Sequence, residues 1–208
     1  MRTRHRRLVA AAALTAAASL ALAGCGADSS TDAPATSQTT TAGSSPAALA
    51  RSLAQDETET SNPSPADSAP KSEDGVERAR LVVTEIRVGD YQGRDRVVFE
   101  LDGQGVPGYS VDYVAAPAQQ GSGFPVEVAG DSFLQVTIRD QVLPTETDMT
   151  EVAVGTVTAD EATGVAGVAF AGQFEGQAQA VIGLEGTDRA FSAFLLQNPT
   201  RLVVDIDR

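Results

Sequence analysis

Residues 80–101, RLVVTEIRVGDYQGRDRVVFEL, decide the fold of this chain. Two runs rich in β-branched residues, 80–88 and 96–101, flank the short segment 89–93, which contains two glycines and an aspartate. Valine and isoleucine favour strands, whereas glycine and aspartate favour turns. The stretch therefore predicts two strands joined by a turn-rich loop.

The same kind of pattern continues to the C-terminus. Leu202, Val204 and Ile206 alternate with Arg201 and Asp205 in a last strand, and residues 191–196 are apolar on both faces, as in a central strand. Further strands are predicted at 109–114, 126–128, 133–139, 152–158, 165–170 and 177–184, and one short helical turn within 141–151. About nine short strands separated by Gly and Pro predict an all-β domain over 76–208, a β-sandwich of two mainly antiparallel sheets.

The N-terminus has the organisation of a bacterial secretion signal. Four arginines lie within residues 1–7, an uncharged run follows at 8–23, and Leu22-Ala23-Gly24-Cys25 closes it. The last four residues resemble the lipobox of bacterial lipoproteins, which implies cleavage before Cys25 and a diacylglyceryl thioether on that cysteine. The alternatives are a permanent membrane helix, for which sixteen residues with nine alanines are too short, and a free thiol. The predicted location is the extracytoplasmic face of the cell membrane.

The segment from Cys25 to residue 75 is predicted to be a disordered tether. Residues 26–75 are rich in Ser, Thr, Ala and Pro, and their only large aliphatic residues are Leu49 and Leu53. Such a segment buries too little apolar surface to offset its ordering entropy. As a coil, fifty residues have a root-mean-square span of about 40 Å, enough to lift a domain off a membrane. Residues 47–55 have the composition for a transient helical turn or two.

Composition excludes several classes of function. Residues 1–24 contain four arginines and no acidic residue, so the remaining chain has 11 basic and 28 acidic residues and a net charge of −17. This charge argues against nucleic acid, whose phosphates need a basic surface. The single histidine, His5, lies in the signal, and Cys25 is the only cysteine, so no imidazole or thiol remains for catalysis or for zinc. We expect no cofactor and no metal.

A family resemblance rests on three segments. Residues 198–206, NPTRLVVDI, resemble the final strand of AMIN domains, and residues 93–101, GRDRVVFEL, resemble an early strand of that family. The third segment narrows the resemblance to the AMIN-like domain of actinobacterial lipoproteins: it consists of Pro107, Gly108 and Tyr109, followed by Val111 and Tyr113. It covers about residues 79–207 and implies a sandwich of two β-sheets with a non-catalytic role in binding peptidoglycan or in localisation.

Three residues are candidates for ligand binding. Arg201 and Arg96 each open a strand and point away from its apolar set, where an arginine fork suits a saccharide or a stem-peptide carboxylate. The alternative for both is a salt bridge to Asp205 or Glu100. Tyr91 lies in the loop 89–93, where an exposed ring would be free to stack on a sugar.

Carboxylates are numerous, but their spacing selects no catalytic pair. Among the acidic residues considered, local structural roles are favoured for Asp102, Asp112, Asp131, Asp140, Asp188, Asp205 and Asp207. Three hypotheses follow. The first is a non-enzymatic lipoprotein, attached to membrane lipid through acylated Cys25, that binds peptidoglycan or an envelope protein. The second is a carboxylate-dependent hydrolase of wall glycans, and the third is a carrier of an apolar ligand in a cavity lined by Phe99, Phe170, Phe191 and Phe194.

Overall fold

The computed structural model describes residues 58–59, 63–76, 78–159, 164–187 and 189–208. All of them belong to the same compact unit of the chain. The predicted signal sequence, Cys25 and the tether up to residue 57 lie outside the described residues. None of the helical structure within the described ranges could span a lipid bilayer.

The regular secondary structure of the described residues consists almost entirely of strands. The strands are β1 (Thr58–Glu59), β2 (Lys71–Glu73), β3 (Arg80–Tyr91), β4 (Arg94–Gln104), β5 (Tyr109–Val114), β6 (Ser132–Ile138), β7 (Gly155–Val157), β8 (Val165–Phe174), β9 (Gln177–Leu184), β10 (Phe191–Gln197) and β11 (Thr200–Ile206). A single 3₁₀ turn, Pro144–Glu146, lies within the region where one helical turn was predicted.

Two antiparallel sheets contain these strands. Sheet A has the order β1-β10-β11-β4-β3, in which β1 is a two-residue addition to the edge of four long strands, and sheet B has the order β2-β5-β6-β9-β8-β7. Alternate residues of both sheets meet in one buried cluster, whose largest side chains include Phe99, Phe191, Leu134, Ile182 and Leu202. Because side chains alternate between the faces of a strand, each sheet also presents a second face away from this core. The predicted all-β fold with two antiparallel sheets is confirmed.

Tight turns set the registers of two hairpins. Gln92 and Gly93 between β3 and β4 have φ values of 53° and 81°, and Glu175 and Gly176 between β8 and β9 have φ values of 49° and 74°. Two consecutive residues with positive φ make the turn whose twist matches that of paired strands. The strands extend closer to these turns than predicted: β3 ends after residue 88, β4 begins before residue 96, and β8 ends after residue 170.

Several predicted elements differ from the structure. Residues 126–128 form no strand, because they belong to a loop that crosses sheet B and bonds to it at separate points. The strand predicted at 152–158 is reduced to β7. Regular structure also begins before residue 76, since β2 pairs with β5 and β1 with β10. Backbone pairing at a sheet edge needs no apolar side chains, so a polar composition gives no sign of it.

The predicted apolar cavity does not form as proposed. Phe99, Phe170 and Phe191 belong to the core between the sheets, but Phe194 belongs to a separate buried cluster. Phe194 has the opposite parity to Phe191 along β10 and therefore lies on the other face of sheet A. The four phenylalanines cannot line one cavity.

Candidate functional site

The loop 115–131, which joins β5 to β6, crosses the outer face of sheet B. Gln179 of β9 fastens it: its side-chain oxygen accepts a hydrogen bond from the Gln120 amide at 2.9 Å, and its Nε2 donates to the Ala118 carbonyl at 2.8 Å. Further along, the Asp131 amide donates to the Leu184 carbonyl at 2.8 Å. A side chain at Gly183 would overlap the Ala129 carbonyl, so this glycine lets the loop lie directly on the sheet. The loop is therefore a fixed part of the domain.

Glutamine side chains link the loop to the sheet. The Gln179 Nε2 also donates to Gln135 Oε1 at 3.1 Å, and Gln120 Nε2 donates to Gln177 Oε1 at 3.1 Å. Gln179 is almost fully buried in this network. Because an amide group has both donors and an acceptor, linked amides hold one another in defined orientations.

A groove of about 330 Å³ lies between this loop and the β8–β9 hairpin. Its lining consists of Gln119, Gln120, Gly121, Ser122, Ala171, Gly172, Gln173, Phe174 and Gln179. Gly172 has a φ of 86° at a register shift in β8, which bends the strand beside the groove. The groove is thus formed by two segments, 119–122 and 171–179, that lie about fifty residues apart in the sequence.

Phe174 gives the groove an aromatic wall. It stands at the end of β8 and is 48% exposed, which is unusual for so large an apolar side chain. The backbone of Gly121 lies against its ring: a Cβ atom on this glycine would be 2.8 Å from the ring carbon Cδ2. The ring is thus supported by the loop while nearly half of its surface remains in solvent.

The groove is uncharged: its lining combines the amide and hydroxyl groups of glutamine and serine with the apolar surface of glycine, alanine and phenylalanine. One lining residue contacts a carboxylate: Gln173 Nε2 donates a hydrogen bond to Glu151 at 2.9 Å. Burial raises the pKa of Glu151 above its ordinary value, an effect that this hydrogen bond partly offsets. Such a surface suits a neutral ligand that carries hydroxyl and amide groups.

The predicted candidates Arg96 and Tyr91 lie elsewhere, on the outer face of sheet A. Arg96 donates to Asp205 through Nε at 2.6 Å and Nη2 at 2.8 Å, and both residues are buried. The Tyr91 ring stacks on the same guanidinium group, with 3.4 Å between the ring centroid and Cζ. The salt bridge that the sequence analysis offered as the alternative is therefore present for Arg96.

Arg201 lies on the same face, directly across from Glu100 in the β11–β4 pair. Its Nε donates to the Pro199 carbonyl at 3.3 Å. The structure thus brings Arg96 and Tyr91 together, whereas Arg201 lies on the neighbouring strand β11, across from the residue four positions after Arg96 in β4. A ligand for the three residues stays a prediction.

Five of the carboxylates considered above have hydrogen-bond or ion-pair partners in the structure: Asp102, Asp131, Asp140, Asp205 and Asp207. Asp102, Asp131 and Asp140 accept hydrogen bonds from the backbone amides of Gly103, Gly186 and Gly108 at 2.7, 2.9 and 3.0 Å. Asp188 lies outside the described residues. Within the described part of the chain, no three Asp, Glu, His or Cys side chains are grouped so that they could hold a metal ion.

The glutamine groove was not predicted from the sequence. Its one sequence signal is the spacing of Gln177 and Gln179, which places both amides on the same face of a strand otherwise rich in small apolar residues. The partner segment 119–122 reads only as a polar loop. The contact between the two segments depends on how the loop crosses the sheet, which no local pattern specifies.

A comparison with protein families assigns the fold. The family model of the AMIN-like domain matches residues 81–208, more than half of the chain. The chain belongs to the AMIN-like family. AMIN-like domains are generally associated with binding peptidoglycan or other components of the cell envelope. No curated protein and no solved structure matches the chain.

Proposed function

We propose that this chain is a non-catalytic, lipid-anchored protein whose AMIN-like domain binds the glycan of peptidoglycan in the glutamine groove. The observation that carries the proposal is an uncharged groove in an AMIN-like domain, lined by oriented amides and one supported aromatic ring. Sugar rings offer apolar faces for stacking and hydroxyl and acetamido groups for hydrogen bonds. The acidic chain would repel a polyanion, but a neutral amino-sugar strand imposes no such penalty.

The chemistry of the groove favours binding over cleavage. Glycoside hydrolysis needs two carboxyl groups across the scissile bond, and the residues that line the groove include neither Asp nor Glu. Elsewhere, Asp205 forms an ion pair with Arg96, and Asp131 accepts a hydrogen bond from the Gly186 amide. These contacts support a role in retention rather than turnover.

The anchor part of the proposal rests on Leu22-Ala23-Gly24-Cys25 and on the charged and apolar regions before it. Two acyl chains on one cysteine give stable attachment to a membrane, which a single chain does not. Cys25→Ala should therefore move the protein from the detergent phase to the aqueous phase in phase partitioning. A Cys25→Ala protein that stays in the membrane fraction and still incorporates labelled lipid would contradict the anchor.

Sedimentation with insoluble peptidoglycan tests the binding part of the proposal. Phe174→Ala removes the aromatic wall, and we expect the apparent dissociation constant to rise by about tenfold, because stacking on an aromatic ring contributes roughly 1–1.5 kcal/mol. The matched control is Phe124→Ala, which removes a phenylalanine that is even more exposed, at 68%, but does not line the groove.

Comparison of the two variants distinguishes binding in the groove from nonspecific adsorption to the surface of the protein. Equal losses in both, or none in either, would contradict binding in the groove. Release of soluble muropeptides by the purified protein, abolished by a single Asp or Glu substitution, would overturn the non-catalytic assignment.

A further inference from the structure

Exposed apolar side chains are concentrated around the glutamine groove. Among the described residues, five large apolar side chains are exposed: Val76, Phe124, Leu143, Val154 and Phe174. Three of these five adjoin the groove, since Phe174 is its wall and Phe124 and Val154 flank it. A group of exposed apolar side chains at one place on a folded domain marks an interaction surface.

Phe124 and Val154 flank the groove from its two components. Phe124 belongs to the loop: its carbonyl accepts a hydrogen bond from the Gln119 amide at 2.8 Å, and Ser122 between them lines the groove. Val154 lies beside the hairpin, because a Cβ atom on Gly172 of β8 would be 3.2 Å from Val154 Cγ2. Phe124 is 68% exposed and Val154 is 65% exposed, so most of each side chain is in solvent.

The segments that form this surface carry no charge. Residues 115–126, 152–158, 164–174 and 176–184 contain no Asp, Glu, Lys or Arg, whereas the chain after residue 24 has a net charge of −17. The first charged residue beyond each end of these segments is an Asp or a Glu. An acidic border repels a polyanion, whereas the uncharged surface inside it suits an apolar partner.

A lipid surface suits this face better than a protein does. A stable protein interface takes about 800 Å² and about 20–30 residues from each partner, far more than three apolar side chains supply. Contact with a bilayer needs only a few apolar side chains, because the predicted acyl anchor on Cys25 keeps the domain close and makes each further contact intramolecular. The span of the predicted tether, about 40 Å, permits the domain to reach the bilayer surface.

We propose that the groove face, defined by Phe124, Val154, Phe174 and the uncharged segments around them, rests on the surface of a lipid bilayer. The three side chains enter the boundary between the lipid headgroups and the acyl chains, where the apolar groups of peripheral proteins are buried. In the cell, this contact rests on the lipid anchor of the proposed function, but it does not depend on a glycan in the groove.

Tryptophan fluorescence in vesicles tests the contact, because the chain contains no tryptophan of its own. The chain from Cys25 onward, which includes every described residue, is coupled through this single cysteine to a two-chain maleimide lipid in phosphatidylcholine vesicles. The coupling supplies the attachment whether or not the cell acylates Cys25. Phe124→Trp is the probe, and Val76→Trp is the matched control: Val76 is 59% exposed and lies where the chain passes from sheet B to sheet A.

Lipid that is brominated in its acyl chains quenches a tryptophan that contacts it. We expect this lipid to lower the emission of Phe124→Trp by about twofold or more, and that of Val76→Trp by much less. In the Phe124→Trp protein, Val154→Ser/Phe174→Ser should remove at least about half of the quenching, since two of the three apolar contacts are lost. Val76→Ser in the same protein should leave the quenching unchanged.

Three outcomes would overturn the inference. The first is equal quenching of Phe124→Trp and Val76→Trp, at any level. The second is quenching of Phe124→Trp that persists in full after Val154→Ser/Phe174→Ser. The third is Phe124→Trp emission that brominated lipid does not quench, in a chain that sediments as a dimer; this result would assign the face to a second copy of the chain. Because the vesicles contain no glycan, a failure of the groove in sedimentation with peptidoglycan is a separate result.

Discussion

Arg96 forms the salt bridge to Asp205 that was one of its two interpretations from the sequence. Its position at the start of a strand, on the face opposite the core residues, is that of an exposed charged side chain. In the structure, it is 5% exposed and makes a two-pronged ion pair with Asp205. Removal of one member of a buried pair leaves an uncompensated charge, which usually costs about 3–5 kcal/mol.

The first prediction follows from this pair. Arg96→Met should lower the free energy of unfolding by about 3–5 kcal/mol in urea denaturation, and the double variant Arg96→Met/Asp205→Leu should recover most of that loss. Arg94→Ala is the control, because Arg94 forms an exposed ion pair with Asp207 at 2.9 Å and should change stability by less than about 1 kcal/mol. Equal effects of Arg96→Met and Arg94→Ala would show that the pair is not buried in solution.

Tyr109 predicts how stability depends on alkaline pH. Burial, with the nearby Glu73 carboxylate as a second cause, raises the pKa of Tyr109 to about 12 from 10.0. Between pH 10 and 12, the unfolded chain has lost this proton while the folded chain keeps it, so rising pH favours unfolding. The stability that depends on the protonated phenol is complete below pH 10 and falls by at most about 1.4 kcal/mol per pH unit above it.

Urea denaturation at pH 9, 10 and 11 measures this slope. Tyr109→Phe cannot titrate, and we expect its stability to decrease less steeply above pH 10 than that of the unsubstituted chain. The phenylalanine variant also loses the hydrogen bond from the hydroxyl to the Ala193 carbonyl, so the slopes are compared rather than the levels. If the stability of the two proteins falls with the same slope above pH 10, the raised pKa of Tyr109 is not the cause.

At the scale of elements, strand patterns were readable where a strand has one buried face. The alternation in residues 201–206 predicted β11 closely, and the turn residues 89–93 placed the β3–β4 hairpin. Residues 191–196 are apolar on both faces, and β10 indeed has a buried cluster on each side. The strands β1 and β2 were not predicted, because edge pairing leaves no period in polar residues.

The candidate groove could not be predicted for a different reason. Its loop and its hairpin are each unremarkable in sequence, and their contact depends on the fit of the loop over Gly183. Gly183 lies across from Gly167 in the β8–β9 pair, but only Gly183 lies beneath the loop. A Cβ atom on Gly167 would have its nearest neighbour at 3.6 Å, an ordinary contact.

The pair of glycines gives a matched prediction. Gly183→Ala should lift the loop from sheet B, increase the exchange of the Gln120 and Asp131 amides by about tenfold or more, and destabilise the domain by roughly 1–3 kcal/mol. Gly167→Ala should leave both properties close to those of the unsubstituted chain. Similar effects of the two substitutions would mean that the loop does not depend on its contact with Gly183.

At the scale of the whole molecule, the two outer faces of the sandwich have different characters. The outer face of sheet B has the loop and the uncharged glutamine groove, whereas the outer face of sheet A has ion pairs around an apolar cluster. The sequence predicted the sandwich and the AMIN-like family, and the family model confirms the latter over residues 81–208. The composition of each outer face becomes visible only in the three-dimensional structure, since both faces combine residues that are far apart in the chain.

The most direct test of the account is to locate the binding face by nuclear magnetic resonance. The chain is labelled with ¹⁵N and titrated with a soluble fragment of peptidoglycan glycan that carries no peptide. We predict that the side-chain amide signals of Gln119, Gln120 and Gln173 shift together, with those of backbone amides next to Phe174. Shifts confined to residues around Arg201 and Arg96 on sheet A, or unchanged glutamine signals under saturating ligand, would contradict binding in the groove.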